Sequence, residues 1–264
     1  MGSINNIQNE KLSYIEKVTN FIKSTPFHPQ WLIFRDNYKS LLALSNYIKG
    51  NTLDIGCSNK AAKKYLPDGC HYIGLDYYRT AIEWYETLPE VYGDAQNLPL
   101  ISKSIETVLL LDVLEHLHDP EECLREINRV LVDDGVLIIQ VPFIYPIHDA
   151  PLDFNRWTQF GLRKLIHAHG FNIIEEKHKG DPLETAGIII NIAMTKTILN
   201  WIKQKNPAAL IALLMPIFIL ITNILAKLLG FISQPDTLMP WGYRLVVIKN
   251  NDAYRDSYNF VPDR

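Results

Sequence analysis

Between residues 51 and 179 short apolar runs alternate with amphipathic stretches, and no other feature of the chain limits its fold as strongly. "TLDIG", "HYIGLD", "EVYGDA", "ETVLLL", "GVLIIQVP" and "FNIIEEKHK" have the length and β-branched content of strands. Between them lie "AAKKYL", "RTAIEWYETL", "PEECLREINRVLV" and "TQFGLRKLIHAHG", which the spacing predicts to be helices. The third of these opens on Pro120 and places Cys123, Leu124, Ile127, Val130 and Leu131 on one face. The fourth has Thr158 as its N-cap and Gly170 just past its end. A further helix is expected at "RDNYKSLLALSNYIKG", with Gly50 as its C-cap. Strands joined through helices pair in parallel, because a parallel crossover needs a dozen or more residues. The expectation is an α/β fold, a Rossmann-like doubly wound sheet.

In such sheets ligands bind beyond the carboxyl ends of the strands. Asp54 and Gly56 follow the first run, Asp76 the second, Asp94 the third, and Asp112 to His116 the fourth. An acidic residue about 20 positions past a glycine turn can accept hydrogen bonds from ribose hydroxyls, which is the place of Asp76. The turn itself, "GCSNKA", puts Ser58 where a dinucleotide loop has its second glycine. A Cβ there crowds a pyrophosphate, so a nucleoside joined to an amino acid fits better than a dinucleotide.

"LDIGCSNK", "YIGLD", "GDAQNLPL" and "LLLDVLEHLHDPEECLREINRVLVDDGVLIIQVP" together resemble the class I S-adenosylmethionine-dependent methyltransferases. The look is nearest to the branch holding quinone-biosynthesis and surface-polysaccharide-cluster methyltransferases. The resemblance runs from about residue 50 to 180, and the last strand returns at "WGYRLVVIKN". It departs from the family at Ser58 and Lys60, which stand in the second and third glycine places. It implies S-adenosylmethionine as cofactor and an antiparallel last strand. By position, Asp54 would orient the methionine amino group, and Gly56, Cys57 and Ser58 would form the loop beside the methionine moiety. Asp76, followed by Tyr77, would bind ribose. Asp94 and Ala95 would flank adenine, and Leu111 and Asp112 would border the sulfonium. Glu106 is read as structural.

Methyl transfer to oxygen needs a base. His116, in "LEHLHD", lies where the family has its acceptor pocket; the alternative is that Glu115 and His116 orient the following segment. The proline-broken loop "PFIYPIHDAPLDFNRWT" offers His148 as a second base, with Tyr145, Asp149, Asp153, Arg156 and Trp157 as acceptor-binding candidates. Its alternative is an ordered surface loop with an internal Asp153–Arg156 pair. No metal is expected: His116 with His118, and His167 with His169, lack a carboxylate or cysteine at ligand spacing.

The net charge of −3 gives no electrostatic reason for nucleic acid to bind. Cys57, Cys70 and Cys123 are odd in number and form no CxxC, so neither a disulfide framework nor a zinc ribbon is indicated, and a reducing, cytoplasmic setting is expected. "MGSINNIQNEKLSYIEKV" lacks the apolar run of a signal peptide, and "MGSINN" lacks the Ser or Thr of a myristoylation site.

Residues 185–234 contain no Asp or Glu; their only charges are Lys196, Lys203, Lys205 and Lys227. This stretch is an apolar helical insert between the last two strands. A purely cationic, apolar hairpin matches a helix pair lying in one leaflet at the inner face of the membrane, through residues 186–232. A homodimer interface is the alternative. The expected organisation is an N-terminal extension (1–34), a methyltransferase domain (35–180 and 240–250), the insert (181–239) and a tail (251–264). The acceptor reading is O-methylation of a glycan or lipid-linked molecule. A small metabolite, a quinone-like lipid, and a non-catalytic cofactor-binding subunit of a membrane complex stand as alternatives.

Overall fold

The computed structural model describes residues 21–35, 37–233 and 237–250. Two compact units divide the described residues: those within 41–179 with 242–250, and those within 21–40 with 180–241. The described part of the N-terminal segment is thus grouped with the apolar insert, whereas the sequence set the two apart.

The larger unit is a seven-stranded sheet in the order β3-β2-β1-β4-β5-β7-β6. Its strands are β1 (Asn51–Ile55), β2 (His71–Asp76), β3 (Val91–Tyr92), β4 (Ile105–Leu111), β5 (Leu131–Pro142), β6 (Phe171–Lys179) and β7 (Gly242–Lys249). The first five pair in parallel, and β7 runs antiparallel between β5 and β6. Both faces are covered, so the central strands are apolar throughout. Leu53, Ile55, Val108, Leu110, Leu137 and Ile139 point into one core layer with Cys123, Leu124 and Ile127. The alternate residues Leu109, Val136 and Ile138 point into the other, against Leu44 and Ile48. This is the period-2 geometry of a strand.

The helices are α1 (Trp31–Phe34), α2 (Asn37–Leu44), α3 (Pro120–Val130), α4 (Gln159–Ala168), α5 (Pro182–Lys203) and α6 (Met215–Ile232). Asp119 caps α3 by accepting from the Glu122 amide, and Thr158 caps α4 by accepting from the Gly161 amide. Three expectations change. The helix before β1 stops at Leu44 and tightens into one turn over Ser45–Tyr47, so Gly50 is not its cap. Gly50 turns instead at φ +59°, where a Cβ would come within 2.7 Å of the Glu106 side chain. Glu106 meanwhile accepts from the Asn51 amide at 2.7 Å. "RTAIEWYETL" forms a single wide turn, with the Tyr85 amide reaching the Thr80 carbonyl (3.2 Å), in place of a regular helix.

In the smaller unit α5 and α6 form a hairpin joined through a tight helical turn, Pro207–Leu214. Gly187 lets the two helices approach, since a Cβ there would lie 3.1 Å from the Ala226 methyl. Asn191 and Asn223 are fully buried between them and share a 3.0 Å hydrogen bond. The Asn223 amide also donates to the carbonyls of Pro26 (2.8 Å) and His28 (3.0 Å). Arg35 pairs with Glu184, and Lys227 sits 5.3 Å above the Trp31 ring. The chain leaves the sheet at Lys179 and re-enters at Gly242, its antiparallel partner.

Candidate functional site

At the carboxyl end of β1 the chain turns sharply. Gly56 has φ +68°, and a Cβ on it would lie 2.5 Å from Val113 Cγ2. The amides of Gly56 and Cys57 both donate to the Leu75 carbonyl, at 2.8 and 3.1 Å. Ser58 and Lys60 also take left-handed φ, +46° and +57°, although neither is glycine. Such backbone costs a non-glycine residue roughly 1–2 kcal/mol. Each is held in place: the Ser58 amide donates to Asp76 Oδ2 (2.9 Å), and Lys60 Nζ donates to Glu90 (2.8 Å).

Asp76 is buried at the end of β2. Besides Ser58, it accepts from the Tyr77 amide (2.8 Å) and the Thr80 hydroxyl (2.7 Å) through Oδ1. A carboxylate offers about four acceptor positions, so Asp76 keeps about one for a ligand beyond these three. Asp94 accepts from the Gln96 amide at 2.9 Å. Asp112, at φ +57°, accepts from Gln140 Nε2 at 2.6 Å.

These segments surround a cavity of about 420 Å³ lined by Gly56, Asp76, Tyr77, Asp94, Ala95, Asp112, His116 and Asp149, as the sequence placed them, with Ile55, Leu75 and Leu152 as apolar walls. Thr80, Trp84, Tyr85 and His118 also line it, and sequence reasoning missed them as site residues. Trp84 and Tyr85 were absorbed into a supposed helix; two adjacent aromatics just past a ligand-bearing strand were the available signal.

Other candidates do not reach the cavity. Asp54 is buried and accepts from the Tyr72 hydroxyl at 2.7 Å. Burial raises its carboxyl to about 6, against the lowering effect of that hydrogen bond. Cys57 is buried, and its thiol is pushed up to about 12 by burial. Ser58 acts through its backbone amide and through a side-chain hydrogen bond to Tyr85, itself a cavity-lining residue, and Leu111 packs against the second core layer. Asp153 and Arg156 satisfy each other (2.7 Å), and the Asp153 side chain is 2% exposed. That contact holds the Asp153 carboxyl at about 2. Trp157 packs on the main core. The acceptor roles expected for these last three residues give way to the internal pair and to packing.

The loop after β5 is tied to the segment after β4. The amides of Phe154 and Asn155 donate to the Glu115 carbonyl (3.0 and 3.2 Å), and Asn155 Nδ2 donates to the Leu117 carbonyl (2.9 Å). This brings His148 onto His116, with ring centroids 4.8 Å apart, and Tyr145 edge-on to His148 at 5.3 Å. His116 Nδ1 lies 2.7 Å from the Leu152 carbonyl, which fixes Nδ1 as the donor and leaves Nε2 with its lone pair. Burial, and then the Asp112 charge, raises the Glu115 carboxyl to about 9. Asp112 opens to the cavity, yet the protein around it raises its carboxyl too, chiefly by burial and against the Gln140 hydrogen bond.

Residues 53–139 match the family described as a methyltransferase domain. A probable S-adenosylmethionine-dependent methyltransferase of Mycolicibacterium smegmatis is 27% identical over 134 residues, 47% of this chain and 52% of that protein. The uncharacterized protein YafS of Escherichia coli K12 is 38% identical over 77 residues, 29% of this chain and 27% of that one. The chain spans from 27% to 52% of the length of these curated relatives. Among solved structures, the [4+2]-cyclase SpnF superposes with a TM-score of 0.50 at 15% identity, over 81% of this chain and 80% of that one, a likeness of fold.

The cofactor this family implies is S-adenosylmethionine, and the residues present fit it. The cavity has the size of a small-ligand site. Gly56 leaves the backbone bare at the turn, Asp76 keeps an acceptor position at the cavity wall, and Ala95 with Leu75 offers an apolar slot beside Asp94. The chain therefore carries a class I S-adenosylmethionine-dependent methyltransferase domain, matched over residues 53–139 within a Rossmann-like sheet that β7 completes.

Proposed function

We propose that this chain methylates a hydroxyl of a glycan or lipid-linked acceptor that enters the cavity at the His116 end. The observation that carries the reading is continuity: residues after β1, β2 and β3 line the same space as Asp112, His116 and Asp149. When bound, S-adenosylmethionine supplies an activated methyl group, which the acceptor oxygen takes while the sulfur–carbon bond breaks and its electron pair returns to sulfur. The protein's share is alignment, on the order of 7–11 kcal/mol, and removal of the acceptor's proton. Gly56, Asp76 and Asp94 hold and orient the cofactor, and the apolar walls exclude water. His116 Nε2 is the ring nitrogen free to take the proton, with His148 beside it. A positioned base contributes roughly 10²- to 10⁴-fold.

The test is transfer of label from methyl-labelled S-adenosylmethionine to lipid-linked and water-soluble glycans, with S-adenosylhomocysteine formed in equal amount. His116→Ala is expected to lower turnover at least about 100-fold with S-adenosylhomocysteine affinity unchanged. Cofactor binding with no transfer to either acceptor class would overturn the acceptor assignment.

The lipid-linked side of the reading is supported by the α5–α6 unit. Pro182–Lys203 and Pro207–Ile232 are long and apolar enough to cross a membrane. Leu213 and Phe231 are 79% and 90% exposed, and Leu210, Leu214, Leu228 and Ile232 are exposed with them. Because the chain exits and re-enters at paired residues of β6 and β7, the hairpin as a whole must return to its starting side. We read it as lying in one leaflet at the inner face, its lysines at anionic headgroups, each worth about 1 kcal/mol. Flotation with anionic vesicles checks this: wild type should float at low salt, and Leu213→Glu with Phe231→Glu should not. A soluble wild-type dimer that the same double variant converts to monomer would assign the surface to self-association.

A further inference from the structure

We propose that Glu115, His116 and His148 form a binding site for a divalent transition-metal ion beside the cavity, with Asp149 as a further donor from the open side. The binding claim stands on its own geometry; the use of the ion in catalysis rests on the methyl-transfer reading above.

Glu115 is 0% exposed, and among the described residues neither carboxyl oxygen has a hydrogen-bond partner. A buried carboxyl without donors is costly, and native proteins keep one where something else meets it, an ion among the standard cases. Two imidazole nitrogens converge on the same oxygen: His116 Nε2 at 3.8 Å and His148 Nε2 at 3.7 Å from Glu115 Oε1. One ligand atom from each of the three residues lies within 4.8 Å of the others. An ion about 2.1 Å from each would set them about 3.4 Å apart in a tetrahedral site, which takes only small side-chain rotations.

His116 is oriented as metal-bound histidines are, with the outer nitrogen donating and the inner one open, and His148 would take the same arrangement with its Nδ1–H given to Asp153. His116 gives its Nδ1–H to the Leu152 carbonyl (2.7 Å). His148 turns Nδ1 to the Asp153–Arg156 pair, 3.2 Å from Asp153 Oδ2 and 3.5 Å from Arg156 Nη2. Arg156 is the nearby cation, and its salt bridge with Asp153 offsets the repulsion it would exert on an ion. Asp149 Oδ2 lies 3.9 Å from His116 Nε2, and His116 and Asp149 are cavity-lining residues, so the open coordination positions face the acceptor space.

Two imidazoles and a carboxylate select zinc, cobalt, iron or manganese over magnesium or calcium. An ion here holds an acceptor oxygen at the cavity and eases loss of its proton near neutral pH. It also occupies His116 Nε2, so in the metal-loaded protein the acceptor's proton passes to water at the open side of the cavity. The acceptor class this favours carries two neighbouring oxygens, one to bind the ion and one to be methylated.

The spacing rule that excluded metal from the sequence compared only histidines two positions apart. His148 arrives from a different loop.

The test is calorimetric titration of chelator-stripped protein with Zn²⁺, repeated with Co²⁺ for its visible absorption bands and with Mg²⁺ as the hard-ion control. Expected is one saturable Zn²⁺ site, absent with Mg²⁺, weakened at least about 100-fold in Glu115→Gln and in His148→Ala. His71→Ala, at an exposed histidine on β2, should leave it unchanged. S-adenosylhomocysteine affinity of the same variants is measured alongside. If either variant fails to fold, a rise in wild-type Tm with Zn²⁺, accompanied by cobalt bands typical of imidazole ligation, stands in for it. Absence of saturable Zn²⁺ binding by wild type, or binding indifferent to both substitutions, overturns the site. With S-adenosylhomocysteine still bound, that result leaves the methyltransferase reading intact; metal binding without cofactor binding removes the latter alone.

Discussion

The Tyr72 hydroxyl donates to Asp54 across the β1–β2 pair at 2.7 Å, and this buried contact replaces the ligand role that the position of Asp54 suggested. The Asp54 carboxyl is raised from 3.8 to about 6 by burial. A raised folded-state pKa contributes stability that is complete below the unfolded value and lost as pH rises through the folded one. Wild type should therefore lose about 3 kcal/mol from this group between pH 4 and pH 7, at about 1.4 kcal/mol per unit. Asp54→Asn lacks that loss, so its stability relative to wild type should climb with pH over that window. Urea unfolding at pH 4, 5.5 and 7.5 measures it; a flat difference would show that Asp54 does not titrate there.

Asp76 ties the β1 loop to the start of the turn after β2, so its substitution should act twice. Asp76→Ala is expected to weaken S-adenosylhomocysteine binding about 10- to 100-fold, from hydrogen bonds to a charged group worth about 1.5–3 kcal/mol. It should also lower Tm, because the Ser58 and Tyr77 amides lose their acceptor. Thr80→Val removes one hydrogen bond and should cost about 1 kcal/mol with a smaller effect on affinity. Calorimetry and thermal melts on both variants separate the two contributions.

Gly56→Ala meets two penalties, a left-handed φ and a methyl 2.5 Å from Val113 Cγ2. About 1–2 kcal/mol is expected from the backbone and about 1–3 from the clash. The double variant Gly56→Ala with Val113→Ala should recover the clash portion and not the strain. A double-mutant cycle on urea midpoints checks this, and zero coupling would mean that the loop moves away freely.

Asn223→Leu should destabilise the helical hairpin by about 2–4 kcal/mol. It strips Asn191 of its partner and leaves the carbonyls of Pro26 and His28 without their shared donor. Tryptophan fluorescence during urea unfolding reports it. A shift within about 0.5 kcal/mol would mean that water replaces the amide.

The element order was legible from the sequence because it rests on local signals. The apolar runs at β1, β2, β4, β5 and β6, the cap at Thr158, the helix start at Pro120, and aspartates at strand ends all act over a few residues. The turn at Gly56 was legible for the same reason, and Asp76 and Asp94 at the cavity wall follow from it. What only the tertiary structure decided are meetings between distant segments. Nothing in the spacing of "LEHLHD" shows that Phe154 and Asn155 will bind the Glu115 carbonyl and set His148 beside His116. Nor does it show that Tyr72 will bond to Asp54 across the β1–β2 pair, whereas the Asp153–Arg156 pair, three residues apart, was already open to a local reading. Left-handed backbone at Ser58 and Lys60 is likewise paid for by Asp76, at the end of β2, and by Glu90, just before β3, partners that pairing of β1 with β2 and of β2 with β3 supplies. Local periodicity specifies what each segment becomes. Which side chains share a buried space depends on how the assembled open sheet brings its loops together, and that free energy is gained only once the long-range contacts exist together.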